Sequence, residues 1–577
     1  MRRKERSKEL LQRGSKNTYT YYLKLITQMN ESPVERIKKA SEGLRGTLKE
    51  SLLDEQTGAI RDDDQTLIKF HGMYMQDDRD RREERAEKFL ERLYSFMIRL
   101  RLPGGFLSPE QWEALHNITS EHATHVIKIT TRQTVQLHGI LKNHIKPTLA
   151  DFNKVHLDSI AACGDVNRNV TCSAHPKYSL VHEEVFQFAD KISTHLLPKT
   201  KAYYEVWLDE EKLAEVNEED PLYENRYLPR KFKIAIAIPP YNDVDLYTND
   251  IGLTAIIEKE KLIGFNVAAG GGMGTTHGNP DTYPRLATLF GYVAKEDLLN
   301  VVYEIATVQR DNGNRSDRKL SRLKYTIDKM GIDVFKAEVE KRSGVSFQPA
   351  KKAVFTFRHD EYGWNKNHEG LWYYAAFIEN GRVLDDENVQ FKTAFLEIAK
   401  ARKANFRFTA NQNLIISDIK AEDKDFVEEI LTRYNVIKVT ENASQVRKNS
   451  MACVSFNTCP LALAEAQRYL PSLITKIEDV LAKHKLQNEG INIRMTGCPN
   501  GCARPYISEI GFIGTAYGRY NMHLGADVIG TRLNKIYKEN LNEEEILNEL
   551  DVLFESFVQK RKKKESFGDF VVREAYV

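Results

Sequence analysis

The clearest hydrophobic pattern in this chain has a period of two, and it recurs in two segments. Between residues 95 and 102, apolar side chains alternate with Arg99 and Arg101, and a Pro-Gly-Gly turn follows. Between residues 231 and 236, apolar side chains alternate with Lys231 and Lys233. Successive side chains of a strand point to opposite faces of its sheet. Each segment therefore predicts a strand with one apolar face and one cationic face.

Other segments predict hairpins and helices. The stretch 253–269 predicts two paired strands that turn near Lys259, and Asn380-Gly381 within 372–384 is typical of a tight hairpin turn. The predicted helices are 76–92, 460–485 and 542–564. Alternating charge within 76–92 indicates that this helix is exposed to solvent.

A weak internal repeat relates two of these regions. Residues 128–140 align without gaps to residues 407–419. Three aligned positions are identical: Thr130 and Thr409, Gln133 and Gln412, Ile140 and Ile419. The repeat predicts a pseudo-twofold pair of α+β modules. Chance similarity of two hairpins is the alternative.

Composition indicates an ordinary globular protein. The 577 residues carry a net charge of 84 − 82 = +2, and 41% are hydrophobic, which argues against disorder and against wholesale binding of nucleic acid or a membrane surface. No apolar run is long enough to cross a bilayer, and no secretory signal opens the chain. We expect a cytoplasmic protein. Residues 1–32 form a basic arm, which we expect to be disordered or to reflect a start codon assigned too early.

Four of the six cysteines fall close together and indicate a metal centre. Cys453 and Cys459 form one pair, and Cys498 and Cys502 form a second pair further along the chain. Four thiolates suffice for a tetrahedral metal ion or one cubane cluster, and the wide first spacing favours an iron–sulfur cluster over zinc. We expect Cys459 to precede the start of a helix at Pro460. The other two cysteines, Cys163 and Cys172, are expected to be core thiols.

These motifs resemble a known family. The segment 496–502, together with 453–462, is similar to the sirohaem and [4Fe-4S] motif of the sulfite and nitrite reductases. The resemblance covers the chain from about residue 33 to its end, and it is greatest to the haemoprotein subunit of assimilatory sulfite reductases. Further matching motifs are 101–105, 131–134, 165–170, 228–233, 270–272, 309–315, 409–413 and 567–570.

The resemblance implies cofactors and roles for particular residues. The four cysteines would hold a [4Fe-4S] cluster, and Cys502 would also bridge to the iron of a sirohaem. The residues implied to surround the substrate anion are Arg101, Arg168, Lys231 and Lys233. Those implied to hold the macrocycle are Arg132, Thr134, Arg230 and Gln412. The implied reaction is the six-electron reduction of sulfite to sulfide, in sulfate assimilation and cysteine biosynthesis. Lys231 and Lys233 are expected to donate protons or to organise water.

The implied fold is a multi-domain α+β sirohaem reductase fold with a pseudo-twofold repeat of ferredoxin-like modules. After the arm, we expect a wrapping segment, the first half of the repeat, a sirohaem- and substrate-binding domain, the second half of the repeat, and a cluster- and sirohaem-binding domain. Their expected bounds are 33–94, 95–160, 161–363, 364–440 and 441–577.

The partners expected are sulfite and a separate electron donor, because no nicotinamide or flavin fingerprint is present. The donor is expected to be a flavoprotein subunit, with ferredoxin as the alternative. A nitrite reductase of the same fold is the nearest alternative function, and Lys233 favours sulfite because the nitrite enzymes tend to have Asn there. A non-catalytic protein stabilised by zinc or a cluster is a more distant alternative.

Overall fold

The computed structural model describes residues 31–175, 180–208 and 220–577. The basic arm lies outside the described residues except for its last two positions. The α-helices are α1 Pro33–Ala40, α2 Leu48–Leu53, α3 Asp62–Leu67, α4 Arg82–Glu87, α5 Pro109–His122, α6 Ile145–Lys154, α7 Leu180–His195, α8 Ala202–Trp207, α9 Leu298–Asn312, α10 Leu323–Met330, α11 Ile332–Ser343, α12 Phe391–Lys400, α13 Lys424–Arg433, α14 Val436–Asn442, α15 Gln445–Lys448, α16 Leu470–Lys483, α17 Glu543–Lys560 and α18 Phe567–Arg573. Within the described ranges, none of these helices is long and apolar enough to cross a membrane.

The strands form four five-stranded sheets, in the orders β1-β2-β5-β4-β13, β11-β12-β15-β14-β3, β10-β9-β8-β7-β6 and β16-β17-β18-β19-β20. Their bounds are β1 Met73–Asp77, β2 Tyr94–Arg99, β3 Phe106–Leu107, β4 Ile127–Ile129, β5 Val135–Ile140, β6 Thr171–Cys172, β7 Ile234–Ala237, β8 Ile251–Glu258, β9 Lys261–Ala269, β10 Thr288–Ala294, β11 Gly363–Lys366, β12 Trp372–Ala376, β13 Arg382–Val383, β14 Asn405–Phe408, β15 Leu414–Ile419, β16 Ser450–Ala452, β17 Ile493–Thr496, β18 Ile510–Ala516, β19 Arg519–Leu524 and β20 Lys535–Leu541.

The first two sheets confirm the predicted repeat. Each contains four strands in the same order, and each is completed by a two-residue strand from the other half. Strand β1 lies before residue 95, so the first sheet includes part of the expected wrapping segment. Strand β13 pairs with β4, and β3 pairs with β14. Strand β15 corresponds to β5 and helix α13 to α6, end for end, at the same offset as in the sequence alignment. The two modules are therefore joined by a reciprocal exchange of short strands.

Two glycines make this exchange possible. Gly105 and Gly381 each precede an exchanged strand and have positive φ angles of 79° and 69°. A Cβ atom at Gly105 would meet the Phe408 carbonyl oxygen at 2.8 Å and the Gln133 Cβ at 3.0 Å. At Gly381 it would meet the corresponding carbonyl of Ile129 and the Cβ of Gln412. The halves thus meet backbone against backbone, where a side chain has no room.

The structure confirms some predicted elements and corrects others. The pair β8 and β9 turns at Lys259 and Glu260, both left-handed, as a tight hairpin requires. The predicted hairpin at 372–384 is wrong, because its strands β12 and β13 belong to different sheets. The predicted helix at 542–564 is confirmed as α17, with a capping box at Asn542, although it ends at Lys560.

The other two predicted helices are shorter than expected. Of residues 76–92, the first two belong to β1, and only Arg82–Glu87 is α-helical. The predicted helix at 460–485 begins at Leu470 as α16, so Cys459 does not precede a helix start. The intervening backbone bonds to the cysteine segments instead: Ala464 N–H donates to Gly497 O at 3.0 Å, and Gln467 N–H donates to Cys453 O at 3.1 Å.

The apolar core is divided at the C-terminal sheet. One continuous set of buried side chains extends from Leu44 to Val436, and a second extends from Val446 to Val571. The first packs the two repeat sheets and the β6–β10 sheet, and the second lies between α16, α17, α18 and the β16–β20 sheet. The cysteine segments lie at the edge of the second core.

Candidate functional site

The two cysteine pairs meet because two neighbouring strands are parallel. Strands β16 and β17 pair in parallel, with Ala452 opposite Met495. The segments that follow them, which carry Cys453 and Cys498, therefore leave the sheet at the same edge. Cys453 N–H donates to Met495 O at 3.2 Å, and Gly497 N–H points at Cys453 Sγ at 3.4 Å.

The four thiols form one electrostatic group. Burial raises the pKa of Cys459 to about 11, and the neighbouring Cys502 adds to this rise. The pKa of Cys453 lies well above its usual value for the same two reasons, burial first and Cys502 second. Crowded, buried thiols of this kind need a cation to become thiolates together. The donor set fits an iron–sulfur cluster, which takes four thiolates as ligands.

Neighbouring elements hold both cysteine segments in place. Thr131 Oγ1, in the turn between β4 and β5, donates to the Cys502 carbonyl at 3.1 Å. Thr275 N–H donates to Pro499 O at 2.9 Å, three residues after the 270–272 glycine motif. Gly501 has φ +62°, and a Cβ there would meet Met273 O at 3.2 Å. The loop around Cys498 and Cys502 thus packs against the segment that follows β9 and against the first repeat.

The predicted cations Arg168, Lys231 and Lys233 are brought together by backbone pairing. Arg168 N–H donates to Phe232 O at 2.8 Å, and Phe232 N–H donates to Val166 O at 3.0 Å. The motifs 165–168 and 230–233 therefore run side by side before β7 begins at Ile234. The pattern of buried Phe232, Ile234 and Ile236 is confirmed, although Lys231 and Lys233 precede the strand.

Mutual repulsion and burial perturb this group strongly. Burial, followed by Arg230, lowers the pKa of Lys231 to about 7, while Cys502 acts in the opposite direction. The pKa of Lys233 lies well below its usual value, through burial and then through Lys231 and Arg132. Burial lowers the pKa of Arg132 to about 9 and that of Arg230 to about 10. Cys502 lies within electrostatic range of both lysines.

The charges of this cluster suit an anionic ligand. Among the described residues, no carboxylate forms an ion pair with Lys231 or Lys233, and the buried Nε of Arg132 has no hydrogen-bond partner. The other two nitrogens of the Arg132 guanidinium are bonded, Nη1 to Asn249 Oδ1 at 2.7 Å and Nη2 to Ile234 O at 3.1 Å, but these partners carry no negative charge. Buried positive charges without an acidic partner are unfavourable unless an anion neutralises them. A sirohaem, with its eight carboxylates, has the charge that these residues require. The residues present therefore fit both cofactors that the resemblance implies.

Two aspartates next to the basic cluster pair with other arginines and hold part of its backbone. Asp165 accepts a bidentate pair from Arg318 at 2.7 and 2.8 Å and lies 4.0 Å from Arg230 Nη1. Asp250 accepts from Arg322 Nη2 at 2.7 Å and from the Lys233 backbone N–H at 2.9 Å. Because both carboxylates are occupied, the lysine ammonium groups are left for a ligand.

A second charge cluster, centred on Asp245, includes Arg504, two residues after Cys502. Asp245 is fully buried and accepts from Arg358 Nε and Arg494 Nη1, each at 2.6 Å, and from Arg504. Arg504 also donates to Thr131 O at 2.9 Å, so it ties the segment after Cys502 to the first repeat. These arginines keep the pKa of Asp245 far below its usual range, even though burial opposes them.

Arg101 does not belong to the basic cluster, and its neighbour Arg99 does. The expected strand stops at Arg99, so the two arginines do not share a strand face. Arg101 Nη2 forms an ion pair with Asp158 at 2.6 Å, and its Nη1 lies 3.4 Å from Ser193 Oγ. Arg99 Nη1 instead contacts Cys163 Sγ at 2.9 Å, and its charge adds to burial in lowering the pKa of Arg132.

Thr134 and Gln412 lie in the repeat interface. Thr134 Oγ1 donates to Leu100 O at 2.5 Å, and Gln412 Nε2 donates to Ile129 O at 3.2 Å. Both side chains are buried. Their roles in holding a macrocycle therefore stay predictions. The Gln412 bond joins the second module to the first, whereas the Thr134 bond lies within the first module.

Several residues of the site escaped prediction from the sequence. Arg318 and Arg322 lie in a short basic run that resembles an ordinary exposed segment, and Lys324 two residues later donates to Gly274 O at 2.9 Å. Their spacing carries no signal for a site, because only the fold brings them to Asp165 and Asp250. Arg99 did carry a signal, since it alternates with apolar residues on a buried strand.

Comparison with known proteins agrees with this geometry. The family model described as "Nitrite and sulphite reductase 4Fe-4S domain" matches residues 188–347. The model described as "Nitrite/Sulfite reductase ferredoxin-like half domain" matches twice, at residues 91–155 and 365–434. The two half-domain matches fall on the two repeat sheets that exchange strands.

Relatives match over nearly the whole chain. A sulfite reductase [NADPH] hemoprotein beta-component from Leptospira biflexa is 66% identical over 544 residues, covering 94% of this chain and 98% of the relative. The protein of that name from Staphylococcus haemolyticus is 51% identical, covering 94% and 95%. The solved structure of Mycobacterium tuberculosis NirA aligns with a TM-score of 0.76 at 25% identity, covering 93% and 95%. This chain belongs to the family of sulfite reductase haemoprotein beta-components, within the nitrite and sulfite reductases.

Proposed function

We propose that this chain reduces sulfite to sulfide, with a sirohaem and a [4Fe-4S] cluster bound between the cysteine segments and the basic cluster. The observation that carries the proposal is the placement of Cys502 within electrostatic range of Lys231 and Lys233, neither of which has an anionic partner among the described residues. A cysteine thiol, which is a soft metal ligand, thus lies near two cations that need an anion.

The residue roles follow from the charges of the site. We propose Cys453, Cys459, Cys498 and Cys502 as cluster ligands, with Cys502 also bridging to the sirohaem iron. Arg230 would pair with a carboxylate of the macrocycle, because a guanidinium matches a carboxylate with two parallel hydrogen bonds. Arg132 would offer its positive charge and its unbonded Nε, since its Nη1 and Nη2 already donate to Asn249 Oδ1 and Ile234 O. Arg168, Lys231 and Lys233 bind the substrate anion, and Arg99 takes the place that the sequence assigned to Arg101.

The chemistry needs electrons and protons at one point. When bound, the coupled cofactors supply six electrons singly to the substrate, whose S–O bonds break with loss of water. Lys231 holds a proton close to the oxygen atoms that leave, since an ammonium group whose pKa is near neutrality can both give and regain a proton. Arg168 and Lys233 fix the oxyanion and stabilise its charge.

The direct test begins with the visible spectrum of protein expressed with sirohaem synthesis enabled, and with iron and acid-labile sulfide analysis. Turnover is then measured with reduced methyl viologen, on sulfite and on nitrite separately. A chlorin-like red band, a full cluster and a higher kcat/KM on sulfite support the proposal. Preference for nitrite would assign the chain to the sister reaction, and zinc without labile sulfide would assign a binding protein.

The proton-donor role is tested by Lys231→Met in cofactor-replete protein. We expect sulfite turnover to fall by about 10²-fold, within the range for loss of a positioned proton donor. The matched control is Lys261→Met, an exposed lysine at the start of β9, which should leave turnover unchanged. Unchanged turnover in Lys231→Met with full cofactor content would remove Lys231 from the catalytic group.

We further propose that a flavoprotein subunit delivers the electrons, because the relatives are named as beta-components of NADPH-dependent enzymes. Reduction of this chain by such a flavoprotein with NADPH, compared with reduced ferredoxin, tests this choice. The domain bounds given above remain proposals, and the separation of the two apolar cores supports only the one between 440 and 441. A cytoplasmic location is proposed because thiolate ligands require a reducing compartment.

A further inference from the structure

The segment that follows β1 holds the loop that carries Cys459. Arg79 Nη1 donates to two carbonyls of that loop, Cys459 O at 3.0 Å and Ala462 O at 2.9 Å. The guanidinium carbon lies 4.2 Å from the centroid of the Phe456 ring. One side chain from the N-terminal part of the protein thus contacts this loop on both sides of Pro460.

The segment that follows β1, residues 78–80, contacts the Cys459 loop and its continuation through every one of its residues. Asp78 Oδ1 accepts from Asn457 Nδ2 at 2.8 Å, and Arg79 N–H donates to Asn457 O at 3.2 Å. Asp80 forms an ion pair with Arg468 at 2.5 Å, beyond the end of the loop. The contact is therefore a built interface, although the segment's alternating charges predict an ordinary exposed helix.

The acidic neighbours of Arg79 make their close contacts with other groups. Asp77 pairs with Arg82 at 2.5 and 2.7 Å, Asp80 pairs with Arg468, and Asp78 accepts from an amide. Within the described parts of the chain, Arg79 forms no ion pair. Burial and then Arg82 lower its pKa, while the Cys459 sulfur, followed by Asp77 and Asp80, raises it. The guanidinium therefore presents a net positive charge to this sulfur.

A cation at this position has a definite effect on a cluster. Reduction adds one negative charge to the cluster, and a nearby positive charge favours the reduced form. Hydrogen bonds and net charge around the ligands are among the factors that set cluster potentials. Arg79 acts on Cys459 through both, because it carries the charge and also fixes the ligand's own carbonyl.

We propose that Arg79 is a positioning residue for the cluster, which holds the Cys459 loop in place and raises the reduction potential of the cluster. The inference rests on the proposed ligation by Cys459. It adds to the established motifs a residue 380 positions away along the chain. The segment 78–80 is then part of the electron-transfer apparatus and not only a cover for it.

The experiment compares three variants of the full, cofactor-replete chain. Arg79→Gln removes the charge, Arg79→Lys keeps the charge but loses the planar fork, and Arg81→Gln is the matched control. Arg81 lies in the same 3-10 turn, is exposed, and pairs with Glu84 at 3.3 Å. Iron and labile sulfide are counted first, and the midpoint potential of the cluster is then measured by a redox titration followed by electron paramagnetic resonance.

We expect Arg79→Gln to retain its cluster and to lower the midpoint potential by the equivalent of about a tenfold change in the reduction equilibrium, which is about 59 mV for one electron. Arg79→Lys should shift it less, and Arg81→Gln should not shift it. An unchanged potential in Arg79→Gln with a full cluster would overturn the inference while leaving the ligation intact. Absence of a cluster from the unsubstituted chain would instead overturn the proposed function.

If Arg79→Gln loses its cluster on purification, Arg79→Lys decides the question. A full cluster whose potential is close to that of the unsubstituted chain supports the role of the positive charge. A full cluster whose potential is lowered by about 59 mV, the shift expected for a neutral side chain, contradicts that role. Loss of the cluster from both variants, with Arg81→Gln intact, supports the positioning role. The potentials are then measured after chemical reconstitution of the cluster, and a potential in Arg79→Gln equal to that of the unsubstituted chain overturns the electrostatic part.

Discussion

The turns at 130–134 and 409–413 have nearly the same backbone and very different chemistry. In both, the residue at the first position donates its N–H to the carbonyl of the last, at 2.7 Å and 2.9 Å, and the glutamine at the fourth position is left-handed. The first turn carries Thr131 and Arg132, which face Cys502 and the basic cluster. The second carries Ala410 and Asn411, and Asn411 Nδ2 donates to Asp360 at 3.1 Å.

The strands that lead into these turns differ in the same way. Arg99 pairs with Gln136 between β2 and β5, and Ala375 pairs with Ile415 between β12 and β15. Gln136 and Ile415 are equivalent positions of the aligned repeat, so Ala375 occupies the position of Arg99 in the second copy. The repeat therefore supplies the same scaffold twice, while only the first copy contributes cations, Arg99 and Arg132, to the basic cluster.

The largest effect is expected when the polar side chain of each turn is substituted in turn and the sirohaem contents are compared. Arg132→Gln should reduce the sirohaem content of purified protein at least tenfold, because loss of one partner of a buried charged pair costs about 2–5 kcal/mol. Asn411→Ala should leave the sirohaem content unchanged. The haem absorbance per protein measures both, and equal losses in the two variants would contradict the one-sided assignment.

A smaller difference is expected between the two arginines that the sequence places together. Arg99→Gln should lower sulfite turnover by about tenfold to a hundredfold, because it removes a positive charge from the cluster. Arg101→Gln should act mainly on stability, by about 1 kcal/mol, since it breaks a partly exposed pair with Asp158. Steady-state kinetics and thermal unfolding distinguish them, and the reverse order would restore Arg101 to the site.

The scaffold itself should respond equally in the two copies. Gly105→Ala and Gly381→Ala each force a side chain into a left-handed backbone position against a facing carbonyl. We expect each to destabilise the holoprotein by about 1–3 kcal/mol, measured by its unfolding transition. A neutral effect at either glycine would show that the contact between the halves is not the same on its two sides.

The smallest effect concerns pH and the cofactor-free protein. The pKa of Lys231 in the folded chain is about 7, below its ordinary value of 10.5, so the unfolded chain binds more protons above pH 7. Its unfavourable contribution is complete below pH 7 and is relieved as the pH rises. This term should therefore increase stability between pH 7 and 8, before the cysteines of the unfolded chain begin to lose protons. Lys324, whose pKa burial also lowers to about 7, adds to the rise. Lys231→Met should therefore reduce the rise in denaturant unfolding, whereas Lys261→Met should not.

Local rules account for the parts of the site that the sequence revealed. The cysteine spacing identified the cluster ligands that we propose, because four thiolates within one short region have few other uses. The alternation around Phe232 predicted the cationic edge, since a period of two separates two faces wherever the chain is extended. The repeat was visible because both copies keep the glutamine that adopts the same left-handed turn.

Tertiary structure decided what local rules could not. The exchange of β3 and β13 between sheets depends on how two distant halves pack, so Asn380-Gly381 indicated a turn correctly and a hairpin wrongly. Arg99 and Arg101 differ only in where a strand ends, which the Pro103 turn and Asp158 determine together. Arg79 looked like part of a solvated charged segment, because nothing near it in sequence indicates Cys459. Sequence alone determined the chemistry available to this protein, and only long-range packing determined which charges act on it.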